Sequence, residues 1–409
     1  MMFFVLFFLD FLFLGSIKNQ KIINYYFNPI EMPEDKIQFL VYYLPQFHPI
    51  PENNAWWGKG FTEWTNVAKA KPLFKGHEQP ILPADLGFYD LRLPEVQLQQ
   101  AQLAQQYGVD GFIYYQYWFG DGKMLLQQPA EQMLKNKDIT LPFCFCWANE
   151  TWKGIWHGLD NPEVLIEQTY QGEMGYKTYF EYLLPFFKDD RYIKIGKKPM
   201  FHIYRIEDIP DLEVFTETFN LLAIQAGFDG IYLISTVISN PDYVLKNPSF
   251  YGQVGLDVFF KMRYAKLSIF KTKSFFGKIE NKLKDKLTRS YKIGVRTKPL
   301  VFDYKKGVSH FNVKFPHDKY ITCVFPNWDN SARSGKKSLI FKNATPEAWQ
   351  QHLQIALDEL LKKPTNPPFI IIKSWNEWAE GNHLEPDAKY GLDWLKAVKR
   401  VKDNLIIVR

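Results

Sequence analysis

Cysteine is scarce in this chain, with three residues in 409: Cys144 and Cys146 stand two apart on one predicted strand, and Cys323 is far away. Side chains at i and i+2 of a strand point the same way, so the three form no disulfide framework, and they lack the spacing of metal ligands. A reducing, cytoplasmic compartment is the simplest expectation. Histidine is sparse as well, eight residues in all, and His48 and His202 lie singly beside apolar strands. Without spaced partners they read as hydrogen-bonded structural or ligand-contacting groups, neither metal ligands nor nucleophile bases. No metal and no cofactor is expected. An Asp-x-Asp motif is missing, as is a Gly-rich phosphate loop after a strand, which counts against a nucleotide-sugar donor. Residues 1–15 are strongly apolar but short for a span, interrupted by Asp10, and lack a positive leading region. Folding logic begins near Met32. Residues 1–31 are therefore expected to be a spurious upstream extension or a weak membrane-associating leader, and 32–409 a single barrel domain.

What the chain has in abundance is aromatic side chains, 17% of residues with 12 Trp. Ten of the Trp fall in predicted loops or strand ends: Trp56, Trp57, Trp64, Trp118, Trp147, Trp152, Trp156, Trp328, Trp375 and Trp378. Flat rings with a polar edge suit stacking on an extended polar ligand such as a sugar, or they plug the core.

Apolar runs of strand length recur at 38–43, 111–117, 142–147, 198–204, 230–235, 256–260, 321–325 and 368–373. Helical periodicity lies between them at 94–107, 124–136, 175–188, 211–226 and 346–362, and 389–402 closes the chain. Alternation of this kind predicts an α/β fold, a closed (β/α)8 TIM barrel, with helices after strands five and six less distinct. Tyr107-Gly-Val-Asp-Gly111 and Ala226-Gly-Phe-Asp-Gly230 echo one another as helix-to-strand turns, with Gly where a helix ends.

Chemistry in such barrels sits on loops after the carboxyl ends of the strands. The first of these loops is long, about fifty residues, and rich in aromatic residues and Gly, which marks it as functional. It carries His48, Trp57, Glu63 and Trp64 after Tyr42 and Tyr43. Strand two ends in Tyr115 and Trp118, strand three in Trp147, Asn149, Glu150 and Trp152, and strand seven in Asn327, Trp328, Asp329 and Arg333. Asp329 is read as a sugar-hydroxyl ligand or a turn cap. Arg333 is expected to pair with an acidic ligand group or with Asp329.

The most informative stretch is Phe369-Ile-Ile-Ile-Lys-Ser-Trp-Asn-Glu-Trp-Ala-Glu-Gly-Asn-His-Leu-Glu385, a buried strand breaking into carboxylates among tryptophans. If the segment turns helically, Glu377 and Glu380 are neighbours with Cβ atoms about 5–6 Å apart. Two close carboxylates repel, so one tends to keep a proton while the other stays ionised, the pairing needed for acid and base roles on a sugar. On a surface turn they would be solvated charges. Trp375, Asn376, Trp378 and Glu385 complete the candidate site. Residues 261–298 stand apart, with thirteen Lys and Arg against two acids. Phe276, Ile279, Leu283 and Leu287 give them an apolar helical stripe, so a basic helical insertion between strands six and seven is expected, either lying peripherally on an anionic (inner) membrane surface or packed on the barrel wall. No nucleic-acid motif accompanies the charge.

Tyr42-Tyr-Leu-Pro-Gln-Phe-His-Pro49, Trp57-Gly-Lys-Gly-Phe-Thr-Glu-Trp-Thr-Asn66, Trp147-Ala-Asn-Glu-Thr-Trp152 and Ser374-Trp-Asn-Glu-Trp-Ala-Glu-Gly-Asn-His-Leu-Glu-Pro386 together resemble the WbsX-type family of bacterial surface-polysaccharide proteins, over about residues 36–402. That family is labelled glycosyltransferase and is similar to glycoside hydrolase family 99, the endo-α-mannosidases. The resemblance implies a barrel acting on cell-envelope glycans such as O-antigen or capsule, free or lipid-linked. It also implies roles for the pair: Glu377 as the base that draws a proton from the sugar 2-hydroxyl, Glu380 as the acid at the leaving oxygen, with retention and no enzyme nucleophile. A sugar-nucleotide- or lipid-sugar-dependent transferase of lipopolysaccharide assembly, and a non-catalytic glycan-binding barrel, remain alternatives.

Overall fold

A computed structural model of the chain describes residues 37–154, 163–237, 246–255, 298–311, 318–362 and 368–407. Its first strand, β1 (Gln38–Tyr43), is buried along nearly its whole length. Strands buried on both faces read as continuous apolar runs, and the same holds for β2 (Gly111–Trp118), β3 (Phe143–Trp147) and β4 (Lys198–Ile203). They pair in parallel in chain order and continue to β5 (Tyr232–Val237) and β6 (Phe250–Gly255). The strand β8 (Phe369–Ile372) returns to β1, in the register Gln38 with Phe369 through Val41 with Ile372. Between β6 and β8 lies β7, broken into Tyr320–Ile321, which pairs with β6, and Cys323–Val324, which pairs with β8. The break at Thr322 lets one strand serve both neighbours. The result is the expected (β/α)8 barrel, with helices between the strands.

The sixth strand is a correction in place. It was expected at 256–260, which lies outside the described residues, and it stands at Phe250–Gly255, where two glycines and Gln253 dilute the apolar signal. The basic stretch 261–298 also lies outside them, Lys298 excepted, as do residues 1–31.

Two short helices punctuate the long first loop, α1 (Pro51–Trp57) and α2 (Glu63–Lys69). Proline at a first helical position, where its missing N–H is no loss, starts α1, α3 (Pro94–Gln106) and α9 below. The expected helix 124–136 begins later, as α4 (Gln128–Lys135), because Met124–Leu125 instead pairs antiparallel with Trp118 and Tyr117. Then come α5 (Gly172–Lys188) and α6 (Leu212–Gln225). Gly108 and Gly227 follow α3 and α6 at φ +87° and +95°, a left-handed turn that Gly makes without steric cost.

Late in the chain, α7 (Tyr304–Phe311), α8 (Ser331–Ser334), α9 (Pro346–Leu361) and α10 (Asp393–Ile407) complete the helices that position the site. Thr345 caps α9, its Oγ1 accepting from the Ala348 amide at 3.3 Å. A small parallel pair, Leu300–Asp303 with Leu339–Lys342, was not expected from the sequence. It packs Leu339 and Phe341 with Tyr304, Phe325 and Trp328 in a satellite core that props the loop after β7. Among the described residues no helix is long and apolar enough to cross a membrane.

Candidate active site

The residues that line a cleft at the carboxyl end of the barrel lie on its strands or follow them. They are Leu44 and Gln46 after β1, Tyr115 and Tyr117 on β2, Ala148, Glu150, Trp152, Lys153 and Leu165 after β3, Tyr204 after β4, Arg333 after β7, and Lys373, Glu377 and Glu380 after β8. At the floor, Asn376–Glu377 pairs antiparallel with Asn382–His383, and Trp378–Glu380 forms a 3-10 turn between them. That turn puts both glutamates on the cleft, as the i,i+3 spacing predicted.

The turn is fixed from below. Asn376 exchanges both hydrogen bonds with the Leu44 backbone, at 2.8 and 3.0 Å. Asn382 donates to the carbonyls of Asn327 (2.7 Å) and Lys373 (2.8 Å). The Lys373–Ser374 peptide bond is cis. Gly381 closes the turn at φ +52°, and the Asp329 amide donates to the Glu380 carbonyl at 2.7 Å.

Charge in the floor is arranged as a row. Arg333 Nη2 donates to Glu63 Oε1, and its Nη1 donates to Glu380 Oε1 at 2.8 Å. Lys373 Nζ reaches Glu380 Oε2 at 3.3 Å and both oxygens of Glu377 at 3.0 and 3.1 Å, with the Trp328 ring centroid 5.2 Å away. Three carboxyl groups and two cations balance when the row carries one proton. Burial pushes the Glu377 carboxyl up, to about 8, and the ionised Glu380 adds to this against the pull of Lys373. Burial also acts against ionisation of Glu380, but Lys373 and Arg333 together overcome it and hold that carboxyl at about 2. These opposite directions favour the proton on Glu377 over Glu380, the reverse of the order that the resemblance implies for a catalytic acid at Glu380.

The opposite wall carries Glu150, bound by Arg205 Nη1 at 3.0 Å and raised mainly by burial. Trp152 also lines the cleft, roughly perpendicular to Tyr117 (5.1 Å) and Phe119 (5.7 Å) and 6.0 Å from Trp56.

Of the residues expected from sequence to contact a ligand, Tyr115, Glu150, Trp152, Arg333, Glu377 and Glu380 line the cleft. The others support it, and for most of them the reason is burial. Tyr42 is buried under Tyr115, stacked at 5.1 Å, and the Tyr43 hydroxyl donates to Gln100 at 2.7 Å. His48 is buried, and Trp57 packs on Phe61 at 6.0 Å. Trp64 and Trp147 use their Nε1 on the carbonyls of Tyr89 and Trp118, both at 2.8 Å, and Trp118 stacks on Tyr179 at 4.7 Å. Asn149 holds the backbone of Arg205 from both sides, and Asn327 accepts from the His383 amide at 2.9 Å. Trp375 packs on Phe112, and Trp378 stacks on His383 at 4.0 Å. Glu385, fully buried, accepts from Tyr89, Gln100 and Trp378, and burial pushes its carboxyl up to about 7. Asp329 turns out to be a turn anchor, taken up by His77 Nε2 (2.7 Å), Gln79 (2.9 Å) and the Ser331 amide (3.0 Å), so Arg333 does not pair with it. Glu63 lies beneath the floor.

Sequence reasoning missed Lys373, Tyr117 and Tyr204. An ammonium-bearing residue directly after three isoleucines was the available signal for Lys373, because by strand alternation it shares a face with Ile371. Among the described residues no group of three or more His, Cys, Asp and Glu could hold a metal ion.

The fold is a (β/α)8 barrel with paired carboxyl groups at the carboxyl ends of its strands. The family described as "Glycosyltransferase WbsX" matches residues 39–398, and the chain belongs to it. Two proteins from Xanthomonas campestris pv. campestris, both called "Uncharacterized protein WxcX", are 35% identical to the chain, over 403 residues in strain ATCC 33913 and 373 in strain B100. They cover 91% and 90% of this chain, which spans about half of their length, 51% and 50%. Among solved structures, the GH99 endo-alpha-mannosidase from Bacteroides thetaiotaomicron superposes with a TM-score of 0.53 at 13% identity, covering 91% of this chain and 99% of its own. A "Glycoside hydrolase-like protein" superposes with a TM-score of 0.53 at 11% identity, covering 90% of this chain and 96% of its own. At such identity the likeness is one of fold.

Proposed function

We propose that the protein cleaves or transfers glycosidic bonds of a cell-surface polysaccharide with retention of configuration, through Glu377 and Glu380. The observation that carries this reading is the floor of the cleft: two carboxyl groups three residues apart at the end of a barrel strand, Glu377 buried and Glu380 partly buried, with Lys373 Nζ within 3.3 Å of both. A glycosidic bond breaks when its leaving oxygen is protonated and the anomeric carbon is attacked, so the site needs one group that gives a proton and one that takes a proton. Glu377 draws the proton from the sugar 2-hydroxyl, whose oxygen attacks the anomeric carbon. Glu380 protonates the leaving oxygen and then activates water or an acceptor sugar. Trp152 offers a ring face to a pyranose, and Glu150 offers an acceptor to its hydroxyls. Lys373 and Arg333 favour the ionised form of Glu380, so it must take up a proton before it can act as the acid, and the surroundings of Arg333 bear on how it does so.

The substrate is a glycan or lipid-linked oligosaccharide. Location in the cytoplasm, with peripheral contact at the inner membrane through 261–298, belongs to the same proposal. The test is incubation with the surface polysaccharide of the organism that makes the protein, with and without sugar nucleotides, followed by mass spectrometry. Release or transfer without nucleotide is expected. Extension only with nucleotide would replace this reading by a nucleotide-dependent transferase, and binding without turnover by a glycan-binding module.

A further inference from the structure

Two charged atoms in the floor are left without partners. Glu63 Oε2 and Arg333 Nε are both buried, and neither has a hydrogen-bond partner. They belong to residues that already touch, because Arg333 Nη2 donates to the other oxygen of Glu63. A guanidinium carries Nε and one Nη on a common edge that matches the two oxygens of a carboxylate. As it stands, Arg333 is spread across two acids, Glu63 and Glu380, and satisfies neither fully. A turn of its head would place Nε and Nη2 side-on against both oxygens of Glu63 and fill the two vacancies, at the loss of Nη1 on Glu380.

We propose that Arg333 is a positioning residue with two arrangements, one bridging Glu63 and Glu380 and one closed side-on upon Glu63, and that the second frees Glu380 to hold the proton destined for the leaving oxygen. The step moves one proton and changes no net charge. Glu377 gives its proton to the neighbouring Glu380 carboxyl, becomes a carboxylate against the Lys373 ammonium that also reaches Glu380, and is then ready for the sugar 2-hydroxyl. This rests on the acid and base roles proposed above.

The groups facing Glu380 come from every side. Lys373 and Glu377 share its segment, Arg333 comes from the loop after β7 and Glu63 from the first loop. The Tyr204 hydroxyl faces Glu380, Glu377 and Glu150, and the Tyr117 hydroxyl faces Glu377, Arg333 and Glu63. Of the cations, Lys373 is engaged by both catalytic candidates. Arg333 alone has an unfilled alternative.

The test has two arms. In the first, without substrate, the carbonyl stretch of protonated Glu380 is followed by infrared difference spectroscopy against Glu380→Gln across a pH series. Glu63→Gln removes the alternative seat of Arg333, so the Glu380 midpoint should fall. Arg333→Gln should raise it. In the double variant the Glu63→Gln shift should largely vanish, whereas additive shifts would overturn the proposal. In the second arm Arg333→Lys keeps the charge and removes the fork. It should lower kcat on the surface polysaccharide about tenfold or more with KM unchanged, and a wild-type rate would overturn the proposal. The infrared arm needs no turnover, so it stands or falls separately from the proposed reaction.

Discussion

Lys373 Nζ donates to both carboxylate oxygens of Glu377, at 3.0 and 3.1 Å, from a position 9% exposed at the end of β8. Its ammonium is also 3.3 Å from Glu380, so one buried cation serves two acids. Lys373→Met keeps the volume of the stem and removes the charge. Removing one partner of a buried ion pair costs about 3–5 kcal/mol, because the remaining charge stays buried. The carboxyl groups escape part of that cost by taking protons. Glu377, already held above its unfolded value of 4.5, rises further once the ammonium is gone, and Glu380 rises with it, so the variant is least affected in acid and loses stability as pH rises through the new Glu377 value. Denaturant unfolding at about pH 5 and about pH 8 should show the larger deficit at the higher pH, and an equal deficit would remove Lys373 from this role.

Separate roles for Glu377 and Glu380 have a kinetic signature. Either one changed to Gln should lower kcat on the polysaccharide by about 10²–10⁴. A substrate with an activated leaving group, such as an aryl glycoside, needs no general acid. Glu380→Gln should therefore regain most of its rate on it, while Glu377→Gln should not. Recovery by Glu377→Gln instead would mean that the proton order of the empty site is also the working order, with Glu377 as acid.

Gly381 holds the 3-10 turn against the loop after β7. Its φ is +52°, and a Cβ there would lie 2.8 Å from the Asp329 carbonyl oxygen and 2.9 Å from its amide nitrogen. Backbone at that distance yields only if the two loops separate, and with them Glu380 from Arg333. Gly381→Ala should cost about 1–3 kcal/mol and depress kcat. Gly196 is the control, at φ +60° with nothing within 4 Å of its Cβ. Thermal unfolding of Gly196→Ala reports the strain of a positive φ without a contact, so equal losses at the two positions would remove the contact with Asp329 from the argument.

The barrel was legible because its strands are buried on both faces and so print as unbroken apolar runs, with Gly108 and Gly227 ending helices in matching ways. Where that signal fades, the position slips, as at Phe250–Gly255. Spacing alone placed Glu377 and Glu380 together. Contacts between loops far apart in the chain left no such mark: Arg333 after β7 reaches Glu63 in the first loop, and nothing near either residue announces the other. The tryptophans could not be sorted from sequence for a different reason. A ring suited to a sugar is equally suited to a core, and Trp118 on Tyr179 or Trp378 on His383 used it there.

Asp387 ties the last helix to the site segment, and acid should loosen that tie. Its carboxylate is met by Trp394 Nε1 (2.7 Å), His383 Nε2 (3.1 Å) and the amides of Lys389 (2.9 Å) and Tyr390 (2.6 Å). Burial alone would raise this acid, but those hydrogen bonds outweigh it and hold the group at about 2, below its ordinary 3.8. A depressed carboxyl stabilises the fold above the unfolded value and loses that contribution as pH falls through the folded one. Asp387→Asn should therefore cost about 2 kcal/mol near neutrality. The gap between variant and wild type should close as pH falls from about 4 towards about 2. Titrating groups that do not touch Asp387 are common to both proteins and cancel in the difference. Urea unfolding across that range measures the gap, and one that stayed constant with pH would mean that Asp387 acts there through shape and not through charge.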